Sequence, residues 1–277
     1  MVAGIRPLAA VECELTPPVT ERVADAVWAR PLLFLLEPVA VLADEGADLL
    51  NVCEQALPLF LVECLLAAPV RTIIRLLGDL SRIHPGNPIV LDLGSSKVEI
   101  LGAMQSLPVR FDPLGGHPMC GKEKSGMAAA DPELFRQRPF VFTRLERTSA
   151  RACHVAEQIA QAVGATPRWM DAETHDRWVA ATSHLPYLVS SALASATPVE
   201  AAPLAGPGFQ STSRLAAQPP ALMLDVLSTN RDNVLAGLRR FRTCLDRLES
   251  LLETDNLSDL QSALAEGAAA REAVLKS

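Results

Sequence analysis

The chain has no surplus of positive charge. Its 25 Lys and Arg are outnumbered by 32 Asp and Glu, giving a formal net charge of −7 and a pI near 5.3. A nucleic-acid surface needs clustered Lys and Arg, so the balance argues against that class of partner. The six cysteines, Cys13, Cys53, Cys64, Cys120, Cys153 and Cys244, form no C-x-x-C pair and no Cys/His metal spacing. They read as reduced thiols in a cytoplasmic protein with no metal site. No apolar run reaches the ~20 residues that a membrane helix requires. Residues 31–43 are broken by Glu37-Pro38, and residues 56–70 contain Glu63. The opening Met-Val-Ala-Gly-Ile-Arg-Pro is not followed by a long apolar core, so neither a secretory signal nor a membrane association is expected.

Glycine is also scarce where a nucleotide-binding fold would use it. A dinucleotide domain ordinarily opens with a strand, a G-x-G-x-x-G turn and a helix, which bring backbone N–H groups and a helix N-terminus to the pyrophosphate. Before residue 60 the only glycines are Gly4 and Gly46, and Pro7, Pro17, Pro18, Pro31 and Pro38 interrupt any long periodic element. No phosphate-binding turn is legible there, and no acid can be assigned to a ribose. A diverged or damaged opening, such as a shifted reading frame upstream of a sound remainder, is one explanation.

What is present begins near residue 60. The 277 residues are 49% apolar, enough for one large domain or two ordinary ones. Residues 63–69 read as a buried strand ending at Pro69. Residues 70–83 have helical spacing, with Ile73, Ile74, Leu77 and Leu80 on one side. Residues 88–94 form a second buried strand that runs into a Gly-Ser-Ser turn, and residues 97–105 a short helix. Residues 109–112 read as a third strand and 139–143 as a fourth. Residues 151–163 are helical, stopped by Gly164. Apolar strands alternating with helices predict a parallel sheet covered on both faces. From Asp171, a plausible N-cap with Glu173 in the first turn, the texture becomes long helices. Val234, Leu238, Phe241, Leu245, Leu248 and Leu252 form a heptad-like seam, which can fill the domain's own core or a dimer interface.

The most informative run is residues 115–126, Gly-Gly-His-Pro-Met-Cys-Gly-Lys-Glu-Lys-Ser-Gly. It places His117 in a glycine-rich loop and fixes it with a proline. A bare His-Pro would be an incidental surface histidine, and Cys120 a small loop residue more than a nucleophile. Asp92-Leu-Gly-Ser95-Ser96-Lys97 puts a Gly-Ser turn at the carboxyl end of a strand, where open α/β sheets bind ligands. Taken alone, it would be a helix cap.

These motifs, with Thr174-His175-Asp176, Ser183-His184-Leu185-Pro186-Tyr187 and Gly208-Phe209 through Arg214, resemble the prephenate dehydrogenase family over roughly residues 60–250. The resemblance implies an α/β fold, with a Rossmann-like nucleotide-binding domain over residues 1–170, degenerate at its start on one reading. An all-α dimerisation domain over residues 171–277 completes it. The likeness also implies NAD(P)-dependent oxidative decarboxylation of prephenate or arogenate in tyrosine biosynthesis, with NAD or NADP as cofactor and a homodimer as the assembly.

His117 matches the catalytic histidine, which accepts a hydrogen bond from the ring hydroxyl; an imidazole suits that task at neutral pH. Ser95 matches the serine between nicotinamide and substrate. Pro69, Gly94 and Ser95 fall on the cofactor surface. Arg214 matches an arginine that binds a substrate carboxylate, for which a planar fork is apt. His184 reads equally as a substrate contact or as a buried histidine pinning its helix. It lies nine residues from His175, so on one straight helix the two face opposite sides. Tyr187 stands where many members carry a second histidine, and Met223 where many carry tryptophan. Lys122, Glu123 and Lys124 match a charged stretch after the histidine. Two rivals remain open: a catalytically silent homologue that has lost its dinucleotide, and a 3-hydroxy-acid dehydrogenase, which would need a catalytic lysine motif on the helical domain.

Overall fold

The computed structural model describes residues 39–42, 63–121, 131 and 133–276. Apart from Val39–Leu42, the stretch before residue 60 expected to lack a phosphate turn lies outside them, as do Lys122, Glu123 and Lys124. The chain divides between Ala172 and Glu173 into two units.

The first unit is built on a six-stranded sheet in sequential order: β1 (Val39–Leu42), β2 (Glu63–Leu66), β3 (Ile89–Asp92), β4 (Asp112–Pro118), β5 (Pro139–Arg144) and β6 (Thr166–Trp169). Strands β1 to β4 are parallel, β5 runs antiparallel to β4, and β6 is parallel to β5. The parallel sheet expected from the sequence is present, with one antiparallel pairing, between β4 and β5, that the sequence did not show. A doubly covered strand is apolar whichever way it runs, so a hydrophobic run does not encode direction.

Helices α1 (Val70–Ile83) and α2 (Val98–Gln105) cover one face, and α3 (Ala150–Ala162) covers the other. Helix α1 buries Val70, Ile73, Leu76, Leu77, Leu80 and Ile83, each large side chain contributing about 1.5–3 kcal/mol. Leu65, Leu91 and Leu114 meet Phe140, Phe142 and Ile159 on the opposite face. Ser149 caps α3, its Oγ accepting from the Ala152 N–H at 3.1 Å while its own hydroxyl donates to Asp112 at the start of β4. Gly164 ends that helix in the left-handed region at φ +69°.

The third strand is not where the sequence suggested. Val109 is 96% exposed, and Phe111 N–H closes a turn onto Pro108 O at 3.0 Å. The strand starts at Asp112 and takes in Gly115, Gly116 and His117, so the predicted histidine loop is a strand end. Glycine and proline ordinarily disfavour strands, which hid it. Here glycine is required by close approach. A Cβ on Gly116 would lie 2.7 Å from the Asp92 carbonyl oxygen, and one on Gly115 would lie 2.7 Å from Leu101 Cδ1.

The second unit is helical throughout its described residues. It contains α4 (Ala172–Val179), a π-helical turn (Ala180–His184), α5 (Leu185–Ala196), a 3₁₀ turn (Val199–Leu204), α6 (Pro207–Ser213), a 3₁₀ turn (Arg214–Ala217), α7 (Pro220–Thr229), α8 (Arg231–Glu253) and α9 (Leu257–Lys276). The seam on α8 divides in two. Val234 is buried, whereas Leu245 and Leu252 are 48% and 62% exposed.

Candidate active site

In the first unit, the carboxyl ends of the parallel strands carry the residues singled out from sequence. Strand β2 leads through Ala67 and Ala68 to half-buried Pro69, whose carbonyl accepts from Ile73 N–H at 2.9 Å as α1 begins. Next to it, β3 ends at Asp92 and turns through Gly94, Ser95 and Ser96 into α2. Leu93 N–H donates to Leu66 O at 2.9 Å, holding the two turns together. Gly94 is buried and Ser95 half-buried. A Cβ on Gly94 would meet Ile100 Cδ1 at 2.5 Å, so the turn can take no larger residue without repacking. His117 lies half-buried near the end of β4, paired with Val141 of β5.

Beneath these turns is a charge pair that the sequence reading passed over. Asp92 and Lys97 are 0% exposed and form a salt bridge. Asp92 also accepts from Gly94 N–H at 2.8 Å and from Gly116 N–H at 3.3 Å, and Lys97 Nζ donates to Gly116 O at 2.5 Å. Burial pushes the Asp92 carboxyl above the ordinary range, opposed by the Lys97 charge and these hydrogen bonds. The signal was available: a lone acid closing an apolar strand and a lysine five residues on, both inside the Gly-Ser turn motif. Burial pushes the Cys120 thiol up to about 11, against the Arg138 charge, which disfavours its thiolate at neutral pH.

The second unit holds His184, Tyr187 and Arg214. His175 and His184 are each 1% exposed. The straight helix assumed from sequence is corrected by the π-helical turn that ends at His184. One extra residue in a turn rotates the remainder of the helix by roughly 100°. His175 Nδ1 lies 2.7 Å from Asp176 Oδ1. Asn230, at the start of α8, donates to Asp176 O at 2.6 Å and faces His184 Nδ1 at 3.2 Å, while its own oxygen accepts from Asn233 at 2.9 Å. That last bond turns the Asn230 amide nitrogen toward the ring, so a neutral His184 accepts at Nδ1. Burial lowers His184 to about 4, Asp176 opposing and His175 adding to the shift. Asn230 was visible only as part of an Asn-Arg-Asp-Asn string, and nothing local marks it as the bridge.

Tyr187 is half-buried on α5 and Arg214 is exposed. The 3₁₀ turn that Arg214 opens is anchored to α5 by Ala216 N–H donating to buried Ser190 Oγ at 3.0 Å. Arg214 therefore sits on a turn fixed to the helix that carries Tyr187. Met223 is buried.

The described residues suit the nicotinamide end of a dinucleotide. Ala67, Ala68, Pro69, Gly94 and Ser95 are small and uncharged, and they sit on adjacent parallel strand ends. Among the described residues no cluster of three His, Cys, Asp or Glu could hold a metal, and no helix is long and apolar enough to cross a membrane.

Sequence models of two domains match the chain: "Prephenate dehydrogenase, nucleotide-binding domain" over residues 51–167, and "Prephenate dehydrogenase, dimerization domain" over residues 171–266. The prephenate dehydrogenase of Bacillus subtilis is 30% identical over 207 residues, which are 71% of this chain and 55% of that protein. The chain thus spans little more than half the length of that relative. Among solved structures, the prephenate dehydrogenase of A. aeolicus, in complex with hydroxyphenyl propionate and NAD+, superposes with a TM-score of 0.73 at 24% identity, covering 91% of this chain and 93% of that one. The arogenate dehydrogenase of Synechocystis gives 0.67 at 26% identity, covering 83% and 82%.

Proposed function

The chain belongs to the prephenate dehydrogenase family, and from that premise we propose that it oxidises and decarboxylates prephenate or arogenate with NAD or NADP. The observation that carries the reading is the pairing of the Ser95 turn with the His117 strand end in a domain matched by the nucleotide-binding model, with Asp92 accepting from the backbone of both Gly94 and Gly116.

The substrate is a cyclohexadiene with a ring hydroxyl and a quaternary carbon bearing a carboxylate. His117 accepts the hydrogen bond of the hydroxyl and takes its proton as the carbinol carbon loses hydride. When bound, the nicotinamide supplies the hydride acceptor. The ring carboxylate leaves as CO₂ and its electron pair completes the aromatic ring, so the chemistry calls for neither metal nor covalent nucleophile. Ser95 orients the hydroxyl from the β3 turn, with Pro69 and Gly94 forming the cofactor floor. Arg214 pairs with a substrate carboxylate, and Tyr187 offers a hydroxyl near it without adding charge. His184, neutral and held by Asn230, supports the substrate helix.

We assign the working form as a homodimer, supported by the dimerization-domain match and by exposed Leu245, Leu252, Leu257 and Leu264 on α8 and α9. We place it in the cytoplasm, where reduced thiols such as those of Cys120, Cys153 and Cys244 persist.

The test is a steady-state assay of the purified chain with prephenate and arogenate, each with NAD and with NADP. Reduced nicotinamide should appear together with 4-hydroxyphenylpyruvate or tyrosine. Absence of turnover in all four combinations at millimolar cofactor would leave the silent homologue as the correct reading.

A further inference from the structure

The backbone ladder between β3 and β4 stops at Leu91 and Leu114. Beyond it, β3 ends at Asp92, while on its other edge Leu93 N–H still bonds to Leu66 O and closes the β2–β3 ladder. Strand β4 continues, paired on its other side with β5 as far as Pro118 and Phe140. The edge of β4 that faces β3 would therefore be left open at Gly116, immediately before His117. Two side chains fill that place. Asp92 accepts from Gly116 N–H, and Lys97 donates to Gly116 O. The same Asp92 carboxylate accepts from Gly94 N–H, which fixes the turn that carries Ser95.

We propose that the buried Asp92–Lys97 pair is a positioning device that replaces the missing ladder and sets the Ser95 turn and the His117 strand end in one fixed relation. The proposal rests on the reading of Ser95 and His117 as substrate-side residues. The pair touches no substrate atom in this scheme. It acts through Gly116 on the backbone that aims the His117 ring. A buried charge pair is weak support for stability, since replacing both partners by neutral groups of similar shape is often harmless to folding. Its full burial beneath the turns is thus better explained by geometry than by stability. A Cβ on Gly116 would lie 2.7 Å from the Asp92 carbonyl oxygen, so the strand lies close enough for both side chains to span the gap.

The test uses the full chain with two variants, Lys97→Met and the double variant Asp92→Asn/Lys97→Met. Lys97→Met leaves an uncompensated buried acid, and the double variant removes both charges and keeps the shapes. Three quantities are read: the exchange rate of the Gly94 and Gly116 amides, the His117 ring resonances with exposed His154 as internal reference, and kcat against KM. In the double variant we expect a near wild-type melting temperature, Gly116 exchange faster by about tenfold or more, and displaced His117 but not His154 resonances. We also expect kcat to fall about tenfold or more, with KM within about threefold. A folded double variant with wild-type Gly116 exchange and wild-type His117 resonances overturns the proposal, as does one with wild-type kcat. If the wild-type chain shows no turnover, the enzyme reading fails by itself, and the exchange and ring signals still decide whether the pair positions the strand. If Lys97→Met does not fold, the double variant alone decides.

Discussion

Acidification should destabilise the protein through His184. In the folded chain this imidazole is 1% exposed and faces Asn230. Burial lowers it from 6.5 to about 4, with Asp176 opposing and His175 adding. A depressed folded value means that, between those two values, the unfolded chain binds a proton that the folded chain refuses. The stabilisation is therefore fully present above about 6.5 and is lost as pH falls through about 4. A drop of about 2.5 units at ~1.4 kcal/mol per unit makes the full effect about 3 kcal/mol, a large part of a typical domain stability. The assay is urea unfolding at a series of pH values across that window, for the wild type and for His184→Gln. Glutamine offers Asn230 an acceptor and takes up no proton. The wild-type advantage over the variant should shrink by about 3 kcal/mol from the neutral end to the acid end. Parallel stability curves for the two proteins would refute the reasoning, because every other titrating group is common to both.

Substitutions at four other positions give sharp expectations. Gly116→Ala should cost about 1–3 kcal/mol in urea unfolding, because its Cβ would meet Asp92 backbone at 2.7 Å and Leu91 Cδ1 at 2.9 Å. Gly78→Ala in α1 meets nothing within 4 Å and should raise stability by about 0.4–1 kcal/mol; a destabilised Gly78→Ala would show that α1 is not the ordinary helix described. His117→Asn should lower kcat by ~10²- to 10⁴-fold while leaving KM little changed, and steady-state kinetics with an unchanged kcat would remove His117 from the chemistry. Arg214→Ala should raise KM by about 10- to 100-fold, the loss of a charged hydrogen bond of about 1.5–3 kcal/mol, with Arg214→Lys recovering only part; an unaltered KM for both substrates would rule out the carboxylate role.

Helix α1 was legible almost residue for residue, because its apolar positions recur at helical spacing and its flanks are prolines and polar residues. Strands β2 and β3 were legible as short apolar runs ended by Pro69 and Gly94. Strand β4 was not, since its Gly-Gly-His-Pro run is poor in strand formers, and its glycines are there because Asp92 and Leu101 press against them. The antiparallel turn at β5 was equally hidden. The positions of Ser95, His117, His184, Tyr187 and Arg214 could be marked from sequence because each lies in a short local motif. Asp92 and Lys97 fall within one of those motifs, but their burial and their hold on Gly116 depend on a strand nineteen residues away from the lysine.

By itself, the sequence determined the alternation of apolar strands and helices up to the middle of the chain, the helical texture after it, the acidic surface and the local motifs that carry the family likeness. Those properties depend on neighbours within about ten residues, and periodicity records them. Tertiary structure alone decided the direction of β5, the strand character of the histidine run, the π-helical turn that rotates His184, and the buried bridges from Lys97 to Gly116 and from Asn230 to His184. All of these but the π-helical turn join residues far apart in the chain. Whether a lysine or a histidine is buried there depends on the partner that packing supplies, which no local pattern contains.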